Sequence, residues 1–301
     1  MTILLDGNSL TLEDVASIAL SPEHRVELSA DAKTAVRRSR AIVEQWVASN
    51  EPVYGVTTGF GEFANVRISQ EDLEQLQENL ILSHSVGAGA WLPRSFVRAM
   101  LVLRINALAK GYSGIRLETL ETLVAMLNAD IVPAVPEQGS VGSSGDLVQL
   151  SHIALAAIGK GRILVETDGN VEIKPSGDVL RAHGIEPIRL QAKEGLAMIN
   201  GTQMMCAFGV LSLHKALHLA EVADIAGALT AEALRGTDTA FDERLHKVRG
   251  FVGQLQSAQN LRGLMYGSQI RESHRDAAVD NRVQDAYSLR CMPQVHGASR
   301  D

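Results

Sequence analysis

Cysteine is nearly absent: Cys206 and Cys291 are the only two in 301 residues, and neither falls in a Cys-x-x-Cys or Cys/His spacing. That excludes a disulfide framework and leaves no cysteine-based metal site, and free thiols fit a reducing compartment. Aromatic residues make up only 4%, and the 28 Lys and Arg are outnumbered by 35 Asp and Glu, for a formal net charge of -7. No basic stripe with interleaved aromatics is present, which argues against a nucleic-acid partner. The short run Arg37-Arg38-Ser39-Arg40 lies in a helical pattern and reads as a solvated helix face. Met1 to Asp6 holds no basic segment followed by an apolar stretch, so no secretory signal is visible and the chain reads as cytoplasmic. Internal repeats and low-complexity tracts are missing too. What is there is ordinary globular material, 46% hydrophobic and 21% charged, long enough for one large core or two smaller ones.

Helical periodicity dominates, and the expected fold is mainly α. Ser69-Gln70-Glu71-Asp72 opens one pattern that places Leu73, Leu76, Leu80 and Ile81 on a face. Further helices are predicted over about 30–48, 94–109, 117–127 and 147–158, separated by turns that contain Gly or Pro. Arg162 to Glu166 and Val171 to Lys174 read as a small β-hairpin turning at Asp168-Gly169. From Leu196 to Leu234 the sequence is rich in Ala, Leu and Met without proline, and reads as one long helix. Asn200, Gln203, His214, Lys215, His218, Glu221 and Asp224 interrupt it, which argues for a central bundle shared between subunits over a membrane span. His214 and His218 stand at i, i+4 without the Glu of a zinc-protease helix or a third ligand, so they read as packing residues and no metal is expected. The polar stretch 267–284 has few apolar anchors and reads as a mobile surface loop suited to a lid. The expected division is an N-terminal domain over 1–192 and the first part of a bundle domain over 193–301.

The stretch Gly139-Ser140-Val141-Gly142-Ser143-Ser144-Gly145-Asp146-Leu147 carries the most chemistry. Read alone, a Gly/Ser-rich segment is a turn or a phosphate-cradling loop. No Lys-Ser or Lys-Thr follows the glycines, so it is not a P-loop, and Gly-x-Ser-x-Gly is absent, so it is not a nucleophile elbow. A further possibility is self-cyclisation, in which the Gly145 nitrogen attacks the Ser143 carbonyl carbon and Ser144 loses its hydroxyl. Gly145 offers an unhindered nitrogen and tolerates unusual dihedrals, and Ser143 is small enough for a compressed turn.

That segment, together with Tyr54-Gly55-Val56-Thr57-Thr58-Gly59-Phe60-Gly61, Asn79-Leu80-Ile81-Leu82-Ser83-His84, Asn200-Gly201-Thr202-Gln203 and Gln284-Asp285-Ala286-Tyr287-Ser288-Leu289-Arg290-Cys291, closely resembles the aromatic amino-acid ammonia-lyases, and within them the histidine-specific members. The motifs keep the family's order and approximate spacing. The resemblance implies an electrophile, 4-methylidene-imidazol-5-one, formed from Ser143, Ser144 and Gly145 with no metal or diffusible cofactor. It implies elimination of ammonia from L-histidine to give trans-urocanate. Tyr54 matches the family's base for the β-proton, and a phenol with a reference pKa of about 10 serves near neutral pH only where its surroundings favour the phenolate. Arg290 matches the arginine that binds the substrate carboxylate, for which a planar fork of donors is suited. Asn200, Gln284 and Tyr287 match further active-site positions, Tyr287 close to the ring as a proton donor. Ser83-His84 resembles the histidine-specific enzymes, with His84 meeting the substrate imidazole.

The sequence departs from the family pattern at Ser143, where Ala is usual, and at Gln149, where Pro is common and where its loss would loosen the start of the following helix. Family members are usually longer, with active sites assembled from several subunits of a homotetramer. Without the second half of the bundle, large apolar faces along 196–234 should be exposed. The alternatives kept open are a phenylalanine or tyrosine ammonia-lyase, an aminomutase of the same family, and a non-catalytic assembly subunit.

Overall fold

The computed structural model describes residues 2–49, 52–59, 68–69, 72–141, 145–167, 169–276 and 278–301. Ser143 and Ser144, and Phe60-Gly61 of the tyrosine motif, lie outside them. Two compact units are present, Met1–Leu211 and Ser212–Asp301.

The first unit opens with a parallel pair, β1 (Thr2–Leu5) against β2 (Arg25–Leu28), whose alternate side chains are buried. Between them runs α1 (Leu12–Leu20), started by a reciprocal cap in which the Thr11 hydroxyl accepts from the Asp14 amide and the Asp14 carboxylate accepts from the Thr11 amide. Helix α2 (Ala30–Ser49) follows, then α3 (Leu73–His84), strand β3 (Ala88–Trp91), α4 (Arg94–Ala109) and α5 (Leu117–Asn128). Strands β4 (Val132–Pro133) and β5 (Pro136–Gln138) lead to α6 (Leu147–Ala157). The predicted hairpin is β6 (Arg162–Thr167) and β7 (Asn170–Pro175), with β4 as a third antiparallel strand. Helices α7 (Ser176–Ala182) and α8 (Glu194–Ile199) complete the unit with the first turns of α9 (Gln203–Ala233). Helix α4 is the axis of the core, with Val97, Met100, Leu101, Ile105 and Leu108 almost fully buried.

Some expectations need correction. The stretch 196–234 is not one helix: α8 ends at Ile199, Asn200 turns to an extended conformation (φ -82°, ψ 102°), and α9 starts at Gln203. Arg40 is not on a solvated face. It is buried, and its guanidinium donates to the carbonyls of Gly114 and Ala192, distant in sequence. His218 is not a packing residue in this chain; its side chain is exposed and faces Glu221 across one turn at 4.0 Å.

In the second unit α9 is followed by a short 3-10 turn (Thr239–Phe241), α10 (Glu243–Lys247), α11 (Val252–Met265), α12 (Gln269–Glu272), α13 (Tyr287–Arg290) and α14 (Met292–Arg300). Helices α11 and α14 pack along each other, with Ala228, Ala231, Phe241, Leu261, Met265 and Met292 forming a small core. The buried Asp224 carboxylate is saturated by the Ser257 hydroxyl, the Asn260 amide, the His296 ring and the Arg300 guanidinium, all at 2.6–2.8 Å. The segment 267–284 has polar anchors instead of apolar ones: Ser268 donates to Glu232, Arg271 pairs with Asp238, and buried His274 donates to the Gly236 carbonyl. Along α9, Leu213, Leu217, Leu219, Val222, Ile225 and Leu229 are exposed, the apolar face expected for 196–234. Glu194–Ala233 is long and apolar enough to cross a membrane by length and composition, but the break at Asn200 to Thr202 divides it.

Candidate active site

Helices α3, α6 and α8 pack on one another and bring three of the sequence motifs into the first unit's core. The joint between α3 and α8 is polar. The buried Gln77 side chain accepts from the Gly195 amide at 2.9 Å, where a side chain on Gly195 would strike the Gln77 backbone. Glu194, fully buried at the start of α8, accepts from the Arg116 side chain, the Thr119 hydroxyl and the amides of Arg116 and Gln191. A carboxylate gathering charged and neutral donors in this way fixes the helix it belongs to.

The turn between α8 and α9 meets the Gly/Ser-rich loop directly. Gly145 sits at φ +92°, and a Cβ there would lie 2.2 Å from the Gly201 carbonyl oxygen. That oxygen accepts from the Asp146 amide at 2.7 Å. The Asp146 carboxylate, fully buried, accepts from the Ser140 hydroxyl at 3.1 Å and from the Met205 amide at 3.0 Å. Asp146 precedes α6, yet its carboxylate makes no cap bond to that helix and instead caps the first turn of α9. On its other side Gly201 faces Arg104, whose NH1 would be 2.5 Å from a Cβ. Buried Arg104 donates to the carbonyls of Ala197 and Asn200 and to the Gln203 side chain. Burial pulls its guanidinium down to about 10. Gln149 does not loosen the start of α6: the helix begins at Leu147, the Leu150 amide donates to the Asp146 carbonyl at 3.0 Å, and the side chain is fully buried.

His84 ends α3. Its Nδ1 lies 2.8 Å from the Leu80 carbonyl oxygen, and a carbonyl only accepts, so Nδ1 is the donor and, in the neutral ring, Nε2 is the nitrogen with the free lone pair. The ring borders a largely apolar cavity of about 440 Å³ shared with Gly59, Ile68, Leu76, Asn79, Leu80 and Ser83. Tyr54 does not line that cavity. It stands 57% exposed on a tight turn in which the Val56 and Thr57 amides donate to the Val53 carbonyl.

The remaining site residues belong to the second unit. The Asp285 carboxylate accepts from the Thr237 amide at 2.6 Å and faces Arg282 at 3.3 Å, while its own carbonyl accepts from Nε of Arg290 at 2.9 Å. The Arg290 guanidinium then lies 4.3 Å over the Tyr287 ring. Its two terminal amino groups have no hydrogen bond among the described residues. Gln284 and Arg290 line a cavity of about 420 Å³ with Arg271, His274, Arg275 and Arg282. The structure thus groups Gly145 with Asn200, places His84 and Tyr54 elsewhere in the same unit, and groups Gln284, Tyr287 and Arg290 in the other.

Residues 10–301 match a family model described as aromatic amino acid lyase. The chain belongs to that family. A histidine ammonia-lyase of Anaeromyxobacter dehalogenans (strain 2CP-C) is 51% identical over 303 residues, covering 100% of this chain and 59% of that protein. Among solved structures, histidine ammonia-lyase from Trypanosoma cruzi superposes with a TM-score of 0.86 at 41% identity, covering 100% of this chain and 54% of that one. Tyrosine aminomutase from Streptomyces globisporus superposes with a TM-score of 0.86 at 39% identity, covering 99% and 58%. The chain therefore spans somewhat over half the length of the relatives it matches.

Sequence reasoning missed the residues that seat this lyase-family loop, chiefly Arg104, Asp146 and Gly201. A signal for the first was available: Arg104 interrupts the apolar run Met100-Leu101-Val102-Leu103, and a charge inside a core helix needs an acceptor.

Proposed function

We propose that this chain serves the elimination of ammonia from L-histidine to give trans-urocanate, as a histidine ammonia-lyase does. The observation that carries the reading is the fit of Gly145 to its seat. Its positive φ and the carbonyl 2.2 Å from where a Cβ would stand require glycine at the one position whose amide nitrogen must attack its neighbour. In forming the ring, a bond closes between the Gly145 nitrogen and the Ser143 carbonyl carbon. The Ser143 oxygen leaves as water with the amide hydrogens of Gly145 and Ser144, and Ser144 loses its hydroxyl with its α-hydrogen as a second water. The methylidene-imidazolone so made supplies an electrophile that draws electrons from the substrate amine and makes it a better leaving group.

The chain's own residues supply the rest. In its neutral form His84 accepts through Nε2 from the substrate imidazole N–H. This is a recognition that an apolar ring cannot satisfy, and a buried acceptor left unpaired costs the wrong substrate about 1–3 kcal/mol. Arg290, held by the Asp285 carbonyl through Nε, offers both terminal amino groups to the carboxylate. Tyr54, as the base, takes the β-proton while the C–N electron pair leaves with the nitrogen, and the Cα–Cβ double bond forms. Tyr287 supplies a proton on the leaving side, and Asn200 and Gln284 hydrogen-bond the amine and the ring. The exposed face of α9 fits a homotetramer in which several subunits complete each site, and the cytoplasm is the expected compartment.

Adding histidine to the purified protein, with its partner segments where it has any, and following urocanate absorbance tests the activity. A second reading, a tyrosine-acting lyase or aminomutase, draws support from the aminomutase likeness at 39% identity. His84→Leu separates the two. It should cut histidine turnover at least about tenfold while leaving tyrosine binding unharmed, and undiminished histidine turnover in that variant rejects the substrate assignment. A folded protein with neither turnover nor loss of water favours a non-catalytic assembly subunit.

A further inference from the structure

We infer that Arg104 is a positioning residue for ring formation: it fixes the Asn200-Gly201 turn that holds the attacking residue, Gly145, and its neighbour Asp146 in place. The inference rests on the ring-forming reading of the loop.

Arg104 is 5% exposed, projects from the core helix α4, and forms no ion pair among the described residues. Its Nε has no hydrogen-bond partner there either. A buried cation without a counter-charge is expensive, and an apolar side chain of similar volume in the same place is commonly neutral or stabilising. Stability of the helix therefore does not account for an arginine here. Its fork does have a use: it takes the carbonyls of Ala197 and Asn200 at the end of α8, where a cation suits the carbonyl ends of the helix, and it takes the Gln203 side chain at the start of α9. Those bonds span the break between the two helices.

The break matters because of what stands on its far side. Gly201 is wedged between the Arg104 guanidinium and Gly145: a Cβ on Gly201 would lie 2.5 Å from NH1, and a Cβ on Gly145 would lie 2.2 Å from the Gly201 oxygen. The same oxygen accepts from the Asp146 amide at 2.7 Å. Arg104 thus reaches the attacking residue through one peptide group and touches no reacting atom. If the turn relaxes, the Gly201 carbonyl withdraws, Gly145 loses the contact that enforces its conformation, and the cyclising nitrogen is no longer held in one orientation.

The test uses the whole chain with Arg104→Met and Arg104→Lys. Met keeps the apolar stem and removes every donor; Lys keeps the charge and loses the planar fork. Intact mass, with peptide mapping of 139–150, follows the loss of two waters over time after synthesis. Hydrogen exchange follows the Asp146 amide. In Arg104→Met the fold should persist by circular dichroism, water loss should slow at least about tenfold, and the Asp146 amide should exchange at least about tenfold faster, with α4 protection unchanged. Lys should fall between Met and wild type, and it decides the matter if Met fails to fold. Wild-type rates of water loss in folded Arg104→Met or Arg104→Lys overturn the inference while leaving the ring reading intact. A wild-type chain that never loses water overturns the ring reading instead; the Asp146 exchange then still decides whether Arg104 sets the turn, and unchanged protection rejects it.

Discussion

Asp146 offers the sharpest test of how the two halves of the seat are joined. Its carboxylate is fully buried and divides its oxygens between the Ser140 hydroxyl and the Met205 amide in the first turn of α9. Asp146→Ala removes a helix cap, worth about 1 kcal/mol, and a charge favourably placed at a helix N-terminus, worth about 0.3–1 kcal/mol. The Ser140 hydroxyl loses its acceptor as well, a hydrogen bond worth about 0.5–1.5 kcal/mol, for a total near 2–3 kcal/mol. Asp146→Asn behaves differently. Its one carbonyl oxygen can keep the Met205 amide while its NH2 turns to the Ser140 hydroxyl, which can accept, so only the charge is lost and the cost stays near 0.5–1 kcal/mol. Urea unfolding followed by circular dichroism, with a common slope for wild type and both variants, reads the difference as a shift in midpoint. Ala and Asn variants destabilised equally would mean that charge, not directed hydrogen bonding, carries the contact, and an Ala variant within about 0.5 kcal/mol of wild type would refute the capping argument outright.

Other consequences are as direct. Gly145→Ala places a methyl group 2.2 Å from the Gly201 carbonyl oxygen at a φ that disfavours it, so it should cost about 3–5 kcal/mol or force the turn open, visible as a lowered Tm and as a lost two-water deficit in the mass. In the second unit, burial raises the Asp224 carboxyl, but donors from Ser257, Asn260, His296 and Arg300 outweigh it and hold the group below the ordinary carboxylate range. A carboxyl depressed in the folded state contributes stability above its unfolded value, near 4, and loses it as the pH falls through the folded one. Urea midpoints measured from neutral down through pH 4 and lower should therefore decline more steeply for wild type than for Asp224→Asn; parallel curves would count against the network.

The elements with a strong local signal were legible. Arg94–Ala109 carries its periodicity and forms α4, and the alternating runs flanking Asp168-Gly169 pair as β6 and β7. What could not be read is decided by contacts far apart in sequence. The break before Gln203 has a local sign in Asn200-Gly201-Thr202, but not the partner that spans it: Arg104, on another helix, takes the Ala197 and Asn200 carbonyls. Arg40, in a run of basic residues, looks solvated until the Gly114 and Ala192 carbonyls arrive from elsewhere. The same limit applied to 267–284, where a scarcity of apolar residues concealed the buried side chains of Arg271 and His274. For the candidate site, motif order identified the residue types that matter, while the contacts among Arg104, Asp146 and Gly201 that hold them in place join segments far apart in sequence and could not be read from it.

Those supporting groups share a chemical character that bears on how such a site tolerates change. Gly145 is held by the carbonyl of Gly201, His84 is oriented by the carbonyl of Leu80, and Arg290 by the carbonyl of Asp285. A main-chain carbonyl does not titrate and has no rotamer, so each of these groups is aimed by the backbone rather than by a neighbouring acid or base. Substitution of adjacent side chains should then alter selectivity without disturbing aim, which suits a family whose solved members include both a histidine ammonia-lyase and a tyrosine aminomutase. The vulnerable points shift to whatever fixes the carbonyls. For Gly201 that is a buried guanidinium and for Leu80 the helix α3 itself, so damage to aim should come from Arg104 or from breaks in α3 sooner than from the lining of the cavity beside His84.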